Sequence, residues 1–223
     1  MAGEQDILLS TAYLGPVQYF CKMVPPASVW IEKHENYTKQ TYRNRCIIAG
    51  PNGPLTLTVP VRRGSFHKTP VRDLEIEYGK PWQSLHWRSI TAAYSNAPFF
   101  EYYRDILEPF YRRKIRFLID LNIEMTRKLM EEMGFTCPLR FTRQYQFPGK
   151  TGDMKDYRDR IRPKHPPADP EFNPPAYIQV FNDRYKFLPN LSIVDVIFNL
   201  GPESRHYLES CVARNPFRNG NPR

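Results

Sequence analysis

The sequence predicts an α+β fold, with a mixed β-sheet drawn from the N-terminal half and a helical second half. Three observations carry this. Short apolar runs bounded by Gly and Pro fill the chain as far as Tyr78. From Trp82 onward the apolar spacing becomes helical. The length of 223 residues suffices for a substantial core. The opening pattern of strand, Pro-containing turn, helix and strand also suits a Rossmann-like α/β half, which stands as the alternative.

Taken in order, Ile7 to Tyr13 reads as a buried strand broken by Gly15-Pro16. Pro16 suits the first turn of a helix whose apolar face is Val17, Phe20 and Val24, and Pro25-Pro26 ends it. Val29-Trp30-Ile31 is a second strand. Runs at 45–49 and 55–61, joined by Gly50-Pro51-Asn52-Gly53-Pro54, read as a hairpin. Arg62 to Lys68 is a basic loop, and the period-two run from Val71 to Tyr78 predicts a further strand. Helices follow over 82–95, over 99–107 with Pro109 kinking or restarting the second, and over 115–133 with Gly134 as the stop. Residues 146–175 are rich in Pro, Gly and charge, a long loop or lid. Ala176 to Phe181 is a short strand candidate. Ser192 and Asp195 have capping-box spacing before a helix from Ile193 to Asn199. The organisation expected is one domain over 1–212 and a disordered tail over 213–223.

Lys and Arg number 32 against 23 Asp and Glu, a net charge of +9. Such a balance favours an anionic small molecule or a sugar nucleotide as partner, with nucleic acid second. No stretch approaches the roughly 20 apolar residues of a membrane span, and the first residues lack a signal-peptide pattern, so a cytoplasmic protein is expected. The four cysteines are far apart without a Cys-x-x-Cys pair, which argues against a zinc site. Walker, Gly-x-Gly-x-x-Gly and Gly-x-Ser-x-Gly patterns are absent from the sequence. The cofactor is left unknown, and oligomeric state is not encoded in any pattern.

Between the second and third strands lies a polar stretch, Glu32 to Arg45, with neither Gly nor Pro. It reads equally as a charged edge or as a ligand site. His34 stands near Glu32 and Glu35, a pairing that can orient an imidazole as a general base. If the stretch is extended, Lys39, Arg43 and Arg45 form a cation row suited to phosphate or carboxylate. His86 on its helix is the second acid–base candidate, against the alternative of a satisfied core histidine. The run Arg112, Arg113, Lys114 and Arg116 reads as a solvated face.

These residues together resemble the WbqC-like family, in its shorter Bacteroidetes-type form. The likeness rests on Tyr13-Leu14 with Phe20, then Tyr37, Lys39, Tyr42, Asn44 and Arg45. It continues with Thr58-Val59-Pro60-Val61, His86, Tyr94 and Pro98-Phe99-Phe100. It ends in Gln179, Phe181, Phe187, Pro189-Asn190-Leu191-Ser192-Ile193, Asp195, Phe198-Asn199 and Gly201. Two departures stand out. Ser10-Thr11-Ala12 replaces a His-Gln-Pro found in many relatives, and Lys33-His34 replaces an Asp-Asp pair.

The resemblance implies a role beside surface-polysaccharide genes, with acyl or aminoacyl transfer to an amino sugar or sugar nucleotide. On it, His34, His86 and Glu35 become candidate catalytic groups. Tyr13, Tyr37, Lys39, Asn44, Arg45, Asn190 and Asp195 become candidate ligand contacts, and no metal is implied. A non-catalytic basic module for nucleic acid or an acidic polymer remains the competing expectation.

Overall fold

A computed structural model describes residues 5–24, 28–62 and 68–212. In chain order the elements are β1 (Ile7–Leu9), α1 (Val17–Cys21), β2 (Val29–Ile31), β3 (Arg45–Ile48), β4 (Leu55–Thr58), α2 (Trp82–Tyr94), α3 (Phe100–Arg112), α4 (Leu118–Glu132), β5 (Leu139–Phe141), β6 (Lys155–Asp156), α5 (Ile193–Leu200) and α6 (Ser204–Ser210). The fold is α+β. A four-stranded parallel sheet runs β5-β2-β1-β6, and β3-β4 form a separate antiparallel hairpin.

β1 is buried along its length, the uninterrupted apolar run that a strand covered on both faces requires. It pairs with β2 through α1, so the strand–helix–strand opening is a parallel unit. Helix α1 begins at Pro16, which offers no capping side chain. Asn190, from far along the chain, supplies the cap: its Oδ1 accepts the Gln18 N–H at 2.9 Å. The hairpin turn closes with the Gly53 N–H on the Gly50 carbonyl at 3.1 Å, at a φ of 106° that favours glycine.

The helices pack on an aromatic core. The Trp87 ring stacks on Tyr111 with centroids 5.4 Å apart, and Phe198 meets Phe100 edge-on at 5.1 Å. From Ile193 to Asn199 every residue of α5 is buried, Asp195 and Asn199 included, so its polar side chains must find partners inside the protein. At its end Gly201 has φ 53°, and a Cβ there would meet the Phe99 ring at 2.5 Å. No helix among the described residues is long and apolar enough to cross a membrane.

Several local expectations are corrected. The main sheet takes its outer strands, β5 and β6, from the second half, and at three and two residues neither shows a period in the sequence. β6 is a Lys-Asp pair inside the Pro-rich segment, held by the Lys155 N–H on the Asp6 carbonyl at 3.0 Å and the Tyr157 N–H on Leu8 at 2.9 Å. The segment from Val71 to Tyr78 opens as a 3-10 turn, Val71–Asp73, started by Pro70, and then makes single bridges through Glu75 and Ile76. Residues 176–181 form no strand. Their alternation instead points Tyr177 and Gln179 at Asp195.

Ser192 does not cap α5, because its Oγ donates to the Leu14 carbonyl at 2.7 Å. Pro109 lies inside α3 without ending it. The Pro25-Pro26 stop, the centre of the basic loop at 63–67 and the tail from 213 lie outside the described residues.

The Pro-rich segment is fastened by charge. Lys22, 6% exposed, pairs with Asp169 at 2.8 Å and Glu171 at 3.4 Å. Lys155 and the Tyr157 hydroxyl, the latter at 2.7 Å, also hold Glu171. Burial works to raise the Glu171 carboxyl but is outweighed by these partners, which bring it down to about 2.

Candidate functional site

Parallel sheets gather ligands outside the carboxyl ends of their strands. Here Leu9, Ser10, Thr11 and Ala12 leave β1 at that end, and Tyr157 and Arg158 follow β6. Between them Thr41, Tyr42 and Arg43 of the polar stretch close a narrow cleft. Its enclosed part is about 10 Å³, close to the volume one water needs.

One wall is an ion pair 6–7% exposed. Arg43 donates from Nε to Glu35 Oε1 at 2.8 Å and from Nη2 to Oε2 at 2.6 Å, a bidentate clamp. The Ser10 hydroxyl accepts from Arg43 Nη2 at 2.8 Å and donates to Glu35 Oε2 at 3.2 Å. Behind it, Asn122 of α4 donates to the Arg43 carbonyl at 2.8 Å and to Thr11 Oγ1 at 3.1 Å. Helix α4 therefore sets the spacing of the two loops that carry Ser10 and Arg43.

The opposite wall, Arg158, is backed by Glu32, which is fully buried. Its Oε1 accepts from Thr142 Oγ1 and from the His34 N–H, both at 2.8 Å, and its Oε2 accepts from the Gln146 N–H at 2.8 Å. Arg158 Nη1 lies 3.5 Å from the same Oε2, while its Nε and Nη2 clamp Asp156 at 2.9 and 2.6 Å. Two guanidiniums thus meet three carboxylates, and the site carries one net negative charge despite the basic chain. Such a balance suits a ligand's hydroxyl or amine in the cleft, with any phosphate it carries held outside.

The structure separates the two candidate histidines from this cleft. Arg72 Nη1 donates to His34 Nδ1 at 2.9 Å. The ring's Nε2, 3.1 Å from the Thr142 carbonyl, must then carry the hydrogen. Both nitrogens are occupied in a neutral ring. His86 is 2% exposed inside the aromatic core, with Nδ1 3.0 Å from the Tyr13 hydroxyl. Tyr111 lies 2.8 Å beyond on the same hydroxyl. Burial drives the His86 ring down to about 4, against a smaller opposing hydrogen bond to the Thr58 backbone. Tyr13 is itself raised by burial. These three groups form a sealed neutral chain.

The cation row does not form, because Gln40 takes a φ of 60° and turns the stretch. Lys39 is left exposed, Arg43 turns inward, and Arg45 is half-buried on β3. Asn44 is held by its Nδ2 on the Val59 carbonyl at 2.8 Å, and the Tyr37 N–H bonds Thr69 at 2.9 Å. Asn190 caps α1, as above. Asp195 is fully buried and accepts from Tyr94 at 2.9 Å, from Gln179 at 2.9 Å and from Tyr177. Burial raises its carboxyl, and those three donors offset part of the rise. Asp195 thereby pins residues 177–179 to α5.

Among the sequence candidates, then, Arg43 lines the cleft and Glu35 stands behind it as its partner. Ser10, Arg158, Asp156 and Asn122 had no local signature. One departure from the relatives' pattern, Ser10-Thr11-Ala12, lines the cleft, and the other, Lys33-His34, lies outside it between Glu32 and Glu35 in sequence. Among the described residues no group of three or more His, Cys, Asp or Glu is gathered as a metal set.

A family model described as the WbqC-like protein family matches residues 11–161, from the loop after β1 to the residue that closes the cleft beyond β6. An uncharacterised protein of Mycobacterium tuberculosis (strain ATCC 25618 / H37Rv) is 28% identical over 197 residues, covering 78% of this chain and 84% of that protein. No solved structure matches.

Proposed function

The chain belongs to the WbqC-like protein family, and from that premise we propose that it is a transferase. It places an acyl or aminoacyl group on an amino sugar or sugar nucleotide during assembly of a bacterial surface polysaccharide of the O-antigen type. The observation that carries this reading is the Ser10 hydroxyl held between Arg43 and Glu35 at the rim of the strand-end cleft. An acceptor amine attacks the donor's acyl carbonyl and must lose a proton. Ser10 Oγ receives that proton as its own passes to Glu35, and the donor's leaving group departs. Arg158 stabilises the negative charge that develops on the carbonyl oxygen. His34, with both nitrogens engaged, supports Glu32 and the loop rather than acting as base. Aromatic Tyr42, pushed up to about 12 by burial, remains a neutral wall.

The competing reading, a basic module for nucleic acid, draws on the run at 112–116. Arg112, Arg113 and Arg116 are paired with Glu108, Glu124 and Glu75 respectively, which offsets most of that run's positive charge. A thermal-shift screen with sugar nucleotides, acyl-CoA and aminoacyl donors identifies the ligand pair, since a bound ligand raises the apparent stability. With that pair, Ser10→Ala should slow product formation, followed by mass spectrometry, about 100-fold or more while the fold is kept. Transfer at the unaltered rate in Ser10→Ala would sink the mechanism, and the absence of any stabilising donor would sink the reading itself.

A further inference from the structure

Beside the cleft, on the far side of the Glu32 wall, lies an open hollow of about 550 Å³. It is bounded by Asp6 and Trp30 from the sheet, by Thr142, Gln144 and Gln146 after β5, and by Met154 before β6. We propose that this hollow is a docking groove for an uncharged saccharide chain. The proposal deepens the reading of the cleft and rests on it only for the reason a saccharide is held there. Binding itself needs no transfer.

Four observations point to that ligand class. The volume falls within the range of about 300–1,000 Å³ typical of small-ligand sites. The charged side chains lining it are Asp6 and Arg143, which cancel, so the groove selects neither phosphate nor polyamine. Its Gln144 and Gln146 side chains each present an amide that donates and accepts, the match for hydroxyls that do both.

The fourth observation is aromatic. Trp30 lines the groove with its Nε1 fixed on Asp6 Oδ2 at 2.9 Å, and Arg140 rests against its ring at 5.7 Å. Tyr145 and Phe147 stand next in sequence to the lining glutamines, outside the lining itself, and Arg158 rests against the Tyr145 ring at 5.7 Å. The Tyr145 and Phe147 rings meet edge-on with centroids 5.0 Å apart and are 38% and 62% exposed. Exposed rings beside planar polar groups take the apolar faces of sugar rings while the edges are hydrogen-bonded. A peptide would need an aliphatic pocket, and Met154 is the lone aliphatic residue of the lining.

The groove and the cleft share a wall. Thr142 and Gln146 line the groove and bond one Glu32 carboxylate, and Arg158 approaches that carboxylate from the cleft.

The test titrates the full chain with neutral trisaccharides (maltotriose, cellotriose, chitotriose) and with uronic-acid oligomers, followed by tryptophan fluorescence and calorimetry. A neutral trisaccharide should bind saturably. The substitutions Arg143→Ala and Gln144→Ala, both on exposed residues, should each weaken it roughly ten-fold. Failure of every neutral saccharide to saturate, affinity unchanged in both variants, or equal binding of the uronic-acid oligomers would overturn the proposal. Ser10→Ala should leave this binding intact. A failed titration therefore counts against the groove, and a failed transfer assay counts against the cleft.

Discussion

The Tyr111–Tyr13–His86 chain and the Arg43–Glu35–Ser10 cluster start three residues apart, at Tyr13 and Ser10, yet they are buried by different means. Trp82 packs edge-on against Tyr13, His86 and Tyr111, with centroids 5.1–6.5 Å away, so the first network is walled by rings and carries no charge. The second is ionic and borders an opening. A neutral chain can be closed off once its donors and acceptors match. A buried ion pair is stable only while both partners stay in place. The comparison teaches which buried polar group is free to act. His86 has the residue type of a catalyst and the surroundings of a core residue, while Ser10 has no catalytic signature and the surroundings of a working hydroxyl.

Breaking the ionic network should give the largest effect. Arg43→Ala leaves Glu35 buried without its clamp and should cost about 3–5 kcal/mol, read as a fall in the urea midpoint. A loss below about 1 kcal/mol would mean that water already compensates that carboxylate.

The sealed network should respond to pH instead. The His86 ring titrates at about 4 in the folded protein, below the ordinary histidine value of about 6.5. Between those values the unfolded chain takes up a proton that the folded protein refuses. Stability is therefore full above pH 6.5 and falls as pH drops toward 4, by about 3 kcal/mol in all. His86→Gln should flatten that slope in denaturation curves taken across the window. Glu171, held at about 2, loses its contribution only below the ordinary carboxylate range, so the fastening of the Pro-rich segment should fail in a later acid step.

The smallest effect sharpens the contrast from outside. Arg113 and Glu124 form an exposed pair, with side chains 52% and 43% accessible. Arg113→Ala should change stability by less than about 1 kcal/mol, and less still at high salt.

Legibility in the sequence followed the range of the interactions. Helices α2, α3 and α4 were readable because an amphipathic face repeats over three or more turns. β1, β2 and the hairpin were readable as apolar runs between breakers. β5 and β6 were not, since three residues and two residues carry no period and their place is fixed by backbone partners far away. In the site, Glu35 was recognised as a candidate beside His34, but its partner is Arg43. The Gln40 turn brings these two together. Arg158 sat in a segment whose composition suggested a loop or lid and singled out no residue. The family pattern around Tyr37 to Arg45 marked the right stretch and, within it, mostly residues that build the scaffold.

The order of the parallel sheet has a consequence during synthesis. β1 and β2 leave the ribosome together, but their neighbours β5 and β6 begin at residues 139 and 155. At ~5–20 residues per second the nascent chain waits on the order of ten seconds with both edges of its central pair open. Edge pairing between such chains is a route to aggregation. Cells that make this protein should therefore recover less of it when translation is slowed between β2 and β5 than when it is slowed after β6.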